Sequence, residues 1–213
     1  MLRAEGREEA AVSFFPDLPP MTDRDEPDEL PQPPWIGAPD DMLPGVAPVE
    51  LIIGRSESTV VMLTGMHAYP VGIGMRLGVR VRGRMHRRDL SDEVFGHSYN
   101  MDADWQARRL KWGFELADGR RATNVGPFPP ASDDPAHEPG RPVLVQGGGS
   151  GGDRSVDADY WLWPLPPAGP LRIACQWLEQ GIEMSVQELQ TQPFLDAASR
   201  ALPIWPENEP SHT

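Results

Sequence analysis

The chain of 213 residues has one cysteine, Cys175, and one lysine, Lys111. A single cysteine excludes an internal disulfide, a CxxC redox pair and a zinc cluster held by thiolates. No apolar run reaches the roughly 18 residues of a membrane helix. The opening Met1-Leu2-Arg3-Ala4-Glu5 leads into acidic sequence instead of a secretory h-region. These features predict a cytoplasmic protein with no membrane partner. Three tyrosines and six phenylalanines stand against twenty-five prolines and twenty-one glycines. That balance predicts short strands joined by many turns, with little helix.

Charge is unevenly distributed. Residues 1–50 hold twelve Asp and Glu against three Arg, nine of the thirteen net negative charges, together with ten prolines. From Asp17 to Pro48 no period of 2 or 3.6 would bury a face. Residues 1–45 are therefore expected to form an acidic, proline-rich arm, disordered or extended. Met21, followed by Thr-Asp-Arg-Asp-Glu-Pro, is an alternative start to Met1. Residues 46–206 are expected to fold, and 207–213 to form a disordered tail.

Within the folded part the apolar residues alternate. Val71, Ile73, Met75, Leu77, Val79 and Val81 share one parity, while Gly72, Gly74, Arg76, Gly78, Arg80 and Arg82 share the other, which predicts a half-buried strand. Leu110, Trp112, Phe114 and Leu116 alternate in the same way up to Asp118-Gly119, a strong hairpin signal. Leu171 to Trp177 and Ile182 to Gln187 form a second hairpin around Gln180-Gly181, with Ile182, Met184 and Val186 expected inward. Further strands are expected at 49–53, 59–66, 142–146 and 160–163. Nine or so one-sided strands predict an all-β, two-sheet antiparallel sandwich of immunoglobulin-like character. One short C-terminal helix, from about Gln192 to Leu202 with Thr191 as its N-cap, should cover one end.

No catalytic motif emerges, so no catalytic residue, metal or cofactor is assigned. Gln146-Gly-Gly-Gly-Ser-Gly-Gly-Asp-Arg154 invites comparison with a phosphate loop but lacks the Lys and Ser or Thr that open a helix, and reads as a flexible interstrand loop. Asp153, Asp157 and Asp159 match no EF-hand spacing and read as solvated turn carboxylates. The histidines are scattered, and Cys175 falls on a core parity, where a thiol is an inert small hydrophobe. Two candidate binding features are left. One is a basic strand face carrying Arg76, Arg80, Arg82 and Arg84, either solvated and paired across to Glu115 or Glu183, or a docking face for an anion or a protein. The net charge of −13 and the lack of interleaved exposed aromatics argue against nucleic acid. The other is the pair Trp161 and Trp163, which share one face of a strand whose other face holds Tyr160 and Leu162. That strand is either covered twice, by the segment Pro164 to Pro170, or carries an exposed aromatic strip.

Pro33-Pro-Trp35, Asp41-Met-Leu-Pro-Gly45, Ala68-Tyr-Pro-Val-Gly72, the run from Phe114 to Asn124, the glycine run and Tyr160-Trp-Leu-Trp-Pro-Leu-Pro-Pro-Ala-Gly-Pro-Leu171 together resemble an uncharacterised actinobacterial protein family. The resemblance spans about residues 31–206 and implies no reaction, ligand or catalytic residue. Two functional readings stay open. The first is a non-enzymatic protein-binding or assembly module, with a protein partner or self-association. The second is a small-ligand-binding protein or hydrolase-type enzyme with a site in the sandwich loops around His67, His97, Asp157 and Asp159.

Overall fold

Among the described residues, twelve strands and two α-helices follow one another in the order β1 (Met42–Leu43), β2 (Gly45–Val46), β3 (Leu51–Arg55), β4 (Thr59–Tyr69), β5 (Gly72–Val81), α1 (Arg87–Phe95), β6 (Lys111–Glu115), β7 (Arg121–Thr123), β8 (Val143–Gly151), β9 (Ser155–Trp163), β10 (Pro170–Trp177), β11 (Ile182–Gln190), α2 (Gln192–Ala198) and β12 (Leu202–Pro203). This computed structural model describes residues 32–83, 87–95, 108–125 and 137–205, which lie in one unit, Pro31–Thr213. The expected arm up to residue 31, the expected tail after 206, Arg84 and His97 lie outside the described residues.

Alternating side chains produce two antiparallel sheets that face each other. The larger has the order β2-β4-β5-β9-β8, with β3 also paired to β4, and the smaller has the order β11-β10-β6-β7. In β5, Ile73, Leu77 and Val79 point inward; across the sandwich, Leu171, Ile173, Cys175 and Trp177 of β10 meet them in one continuous core. The all-β sandwich with a short C-terminal helix is thus the observed architecture. Its two sheets are also tied by polar side chains. The Ser185 hydroxyl of β11 donates to the Ile53 carbonyl of β3 at 2.5 Å, and the Gln187 amide donates to the Ile52 carbonyl.

That tie depends on a change of parity in β11. A register shift opposite Cys175 and Trp177 turns Ser185 and Gln187 toward the partner sheet, leaving Met184 and Val186 60% and 59% exposed. The expectation that Met184 and Val186 are core residues is therefore corrected. A one-residue bulge exchanges the two faces of a strand, and simple alternation does not reveal it.

Three other expectations are corrected. Residues 32–45 are not an arm: Trp35 is buried, β1 pairs with β12, and β2 pairs with β4. The glycine run is not a flexible loop but the second half of β8. There a Cβ on Gly149 would meet the Phe95 ring at 2.6 Å, because α1 packs against this stretch. Helix α1 was not expected, since its only buried apolar pair is Leu90 and Val94, one helical turn apart. Helix α2 forms where predicted but ends at Ala198, with Phe194, Ala197 and Ala198 buried. The Thr191 hydroxyl does not cap it and donates instead toward Pro167 and Gly169 carbonyls. No helix among the described residues is long and apolar enough to cross a membrane.

Candidate functional site

The outer face of the larger sheet carries the site, and two bulges shape it. In β4 the register shifts between Thr64 and His67, with Gly65 at φ +58°, a left-handed conformation that suits glycine. Val61 and Leu63 point inward before the bulge, and Met66 and Ala68 point inward after it. The extra residue thereby sends His67 and Tyr69 to the outer face. In β8 the register shifts between Gln146 and Gly149, next to Gly147.

Between these bulges lies the middle strand β5, whose outward parity is Gly72, Gly74, Arg76, Gly78 and Arg80. The first two glycines differ in what stands over them. A Cβ on Gly72 would meet the Trp161 indole at 2.5 Å and the Leu162 carbonyl at 2.6 Å, so this glycine lets the indole edge come up against the backbone. A Cβ on Gly74 would meet nothing nearer than the His67 carbonyl at 3.9 Å, and one on Gly147 nothing nearer than 3.6 Å. These two glycines form the floor of a hollow of about 540 Å³. Trp161, Tyr69 and Ile36 form its apolar wall, and Thr64, His67, Arg76 and Asp159 are among its polar groups. Tyr69 meets Trp161 edge to face, with 5.6 Å between ring centres. Burial, together with the charge of Asp40, holds the Tyr69 phenol above its ordinary pKa.

The wall is held in place by residues 33–38. Trp35, Val143, Val145, Trp161 and Trp163 form a second apolar cluster on the outer face, apart from the main core, and Ile36 and Ala38 pack against it. The Trp161 indole N–H donates to the Pro34 carbonyl at 3.0 Å, and the Trp35 indole N–H donates to the His137 carbonyl at 2.8 Å. The 160–163 end of β9 is accordingly covered on both faces, but the covering segment is 33–38 and not Pro164 to Pro170. Leu165 packs against the main core instead.

The basic face is also different from its expected form. Arg76 binds Asp159 side-on, Nε to Oδ1 at 2.9 Å and Nη2 to Oδ2 at 3.4 Å, and Arg80 binds Asp157 at 2.9 Å. The expected pairing to Glu115 or Glu183 is corrected: the carboxylates come from β9, whose register sets Arg76 opposite Asp159. Asp157 and Asp159 are strand residues, not turn residues. The hydrogen bond that Arg76 donates to Asp159, together with the charge of that carboxylate, raises the Arg76 pKa further. Arg82 is exposed past the end of β5.

The structure brings His67, Arg76, Asp159 and Trp161 together at one hollow. Arg80 lies further along β5, and Trp163 lies within the covered cluster. His67 makes no hydrogen bond to Asp159, whose carboxylate is held by Arg76, so the two do not form an acid–base pair. Sequence reasoning missed Tyr69, Gly74, Gly147 and Ile36. The glycines at 72, 74 and 78 on one parity were a visible signal of a depressed sheet face, but the covering segment was not. Cys175 plays no part here: burial pushes its thiol up to about 12. No protein family, curated protein or solved structure matches the chain.

Proposed function

We propose that the protein is a non-enzymatic binding protein whose outer-face hollow takes a small planar molecule. The observation that carries this reading is the open floor at Gly74 and Gly147 beneath an aromatic wall. The volume of about 540 Å³ falls within the roughly 300–1,000 Å³ of small-molecule sites. An apolar wall with a few polar groups at the edge is the composition of such sites. A protein-docking role has support of another kind: Leu43 and Leu202 are paired across β1 and β12, and each is more than half exposed. The small-ligand reading is preferred because the hollow joins an aromatic wall to polar groups, whereas the leucine pair offers apolar contact alone.

The ion pairs on the basic face favour a partner other than nucleic acid, since Arg76 and Arg80 already hold carboxylates. A cytoplasmic setting fits the single buried thiol. The test is a titration of isotope-labelled protein with small bicyclic aromatic compounds. Amide shifts should map to Gly74, Gly147 and His67 and disappear in Gly74→Val, which fills the floor. Shifts confined to the region of Leu43, Leu202 and Trp205, or none at all, would refute the reading.

A further inference from the structure

From the arrangement of Arg76 and Asp159 at this hollow, and resting on the small-ligand reading above, we infer that the site selects neutral planar heterocycles with adjacent C=O and N–H groups, the edge of a lactam. The argument starts from unused hydrogen-bonding capacity. Arg76 has five N–H donors, and its bonds to Asp159 use Nε and one hydrogen of Nη2. The Nη1 hydrogens and the second Nη2 hydrogen remain for a ligand. Each carboxylate oxygen of Asp159 accepts one bond from Arg76 and has a further lone pair. Donor and acceptor therefore belong to two paired residues that both line the hollow.

Charge narrows the class. Arg76 and Asp159 together are neutral, so an anionic head group meets the Asp159 carboxylate as well as the guanidinium, and a cationic one meets the reverse. A neutral head that accepts from Arg76 and donates to Asp159 satisfies both without a net electrostatic penalty. The same two residues could not present this edge if they lay free in solvent. Their register across β5 and β9 fixes the side-on geometry, and the Trp161 and Tyr69 rings offer a planar heterocycle its apolar contact. The glycine floor lets a flat ring approach the backbone where any side chain would hold it off.

The test uses three bicyclic probes of similar size, measured by calorimetry on the full chain: 2-quinolone, N-methyl-2-quinolone and 2-naphthoate. The wild type is expected to bind 2-quinolone about tenfold more tightly than N-methyl-2-quinolone, which lacks the donor. It should also prefer 2-quinolone to 2-naphthoate. Asp159→Ala should lose the preference between the two quinolones and gain affinity for 2-naphthoate, because the guanidinium is then unpaired. Thermal melts of that variant check that it folds, and Asp159→Asn, which retains one acceptor oxygen, should keep part of the preference. Equal binding of the two quinolones by the wild type would overturn the inference while leaving the hollow as a ring-binding site. A wild-type preference for 2-naphthoate would also overturn it. If no probe binds to the wild type, both the pocket reading and this inference fail.

Discussion

The two sheets present outer faces that are built from similar residues and differ in shape. On the smaller sheet, Arg172 of β10 lies between Glu115 of β6 and Glu188 of β11, and Arg121 of β7 also pairs with Glu115. These bonds hold the Glu115 carboxyl below the usual carboxylate range, first through Arg121 and then through Arg172. On the larger sheet, Arg76 and Arg80 meet Asp159 and Asp157 in the same cross-strand manner. Charge pairing is therefore common to both faces and does not distinguish them. What distinguishes them is glycine at alternate positions of the central strand β5 and a segment, 33–38, that covers only part of the resulting trough. A hollow forms where backbone is left bare beside a packed aromatic wall. The outer face of the smaller sheet carries ion pairs as well, beside a smaller hollow of about 280 Å³ at Glu115, Gly119 and Arg172 that has no aromatic lining.

The comparison can be broken at the wall. Trp161 is 5% exposed and packs in the outer cluster, so Trp161→Ala should destabilise the fold by about 3–5 kcal/mol. Chemical denaturation measures this. A soluble variant of unchanged stability would mean that the outer cluster does not hold the wall.

The next contrast lies within one strand. Gly72 and Gly74 share a parity, but only Gly72 is covered by an indole. Gly72→Val should cost about 1–3 kcal/mol, because the nearest obstacles include the Leu162 carbonyl, which is backbone and yields little. Gly74→Val should leave stability close to that of the wild type. Similar losses from both would show that the hollow is closed in solution.

A smaller effect concerns the inner side of the sandwich. Glu93 of α1 is buried and accepts a bond from the Trp177 indole N–H at 3.2 Å. Burial raises its pKa above the ordinary 4.5, against the opposing effect of its hydrogen bonds from Gln180 and Trp177. Since the folded-state pKa is raised, the unfolded chain releases this proton first, and the contribution of Glu93 to stability falls as pH rises above that ordinary value. Glu93→Gln keeps an acceptor and has no charge to bury. Its melting temperature should gain on the wild type between about pH 4 and pH 7. A constant difference across that range would contradict the burial of the charge.

The smallest effect is expected from the exposed ion pairs. Arg80→Ser on the larger sheet and Arg172→Ser on the smaller should both leave the melting temperature nearly unchanged, because solvent screens such pairs. A large loss from only one of them would mean that the two ladders are not equivalent.

Much of this arrangement could be read from the chain. Alternation located the strands, including the long β5, because a sheet with one wet face imposes a period of two. With Trp161 and Trp163 on one parity and Tyr160 and Leu162 on the other, the sequence leaves open a doubly covered strand or an exposed strip, and the burial of all four side chains decides for the first. The errors came from local departures from that period. The bulges in β4, β8 and β11 add residues that exchange faces, and a glycine run gives no alternating signal by which a strand could be recognised. Trp35 reads as part of an arm because its neighbours are prolines, and prolines obscure any period. Its burial depends on Val143, Val145, Trp161 and Trp163, more than one hundred positions away in the chain. The hollow combines both difficulties, since it needs the β4 bulge to present His67 and Tyr69 and the distant segment to complete the wall.

The most direct test follows the indole N–H resonances of Trp161 and Trp205 during a titration with 2-quinolone. Trp161 lies at the hollow with its N–H bonded to Pro34, whereas Trp205 is 69% exposed elsewhere on the chain. The Trp161 resonance should shift and saturate while that of Trp205 stays in place, and Gly74→Val should abolish the shift without lowering the melting temperature. A shift at Trp205 with Trp161 unchanged, or the same response in Gly74→Val, would contradict the assignment of the glycine-floored hollow as the binding site.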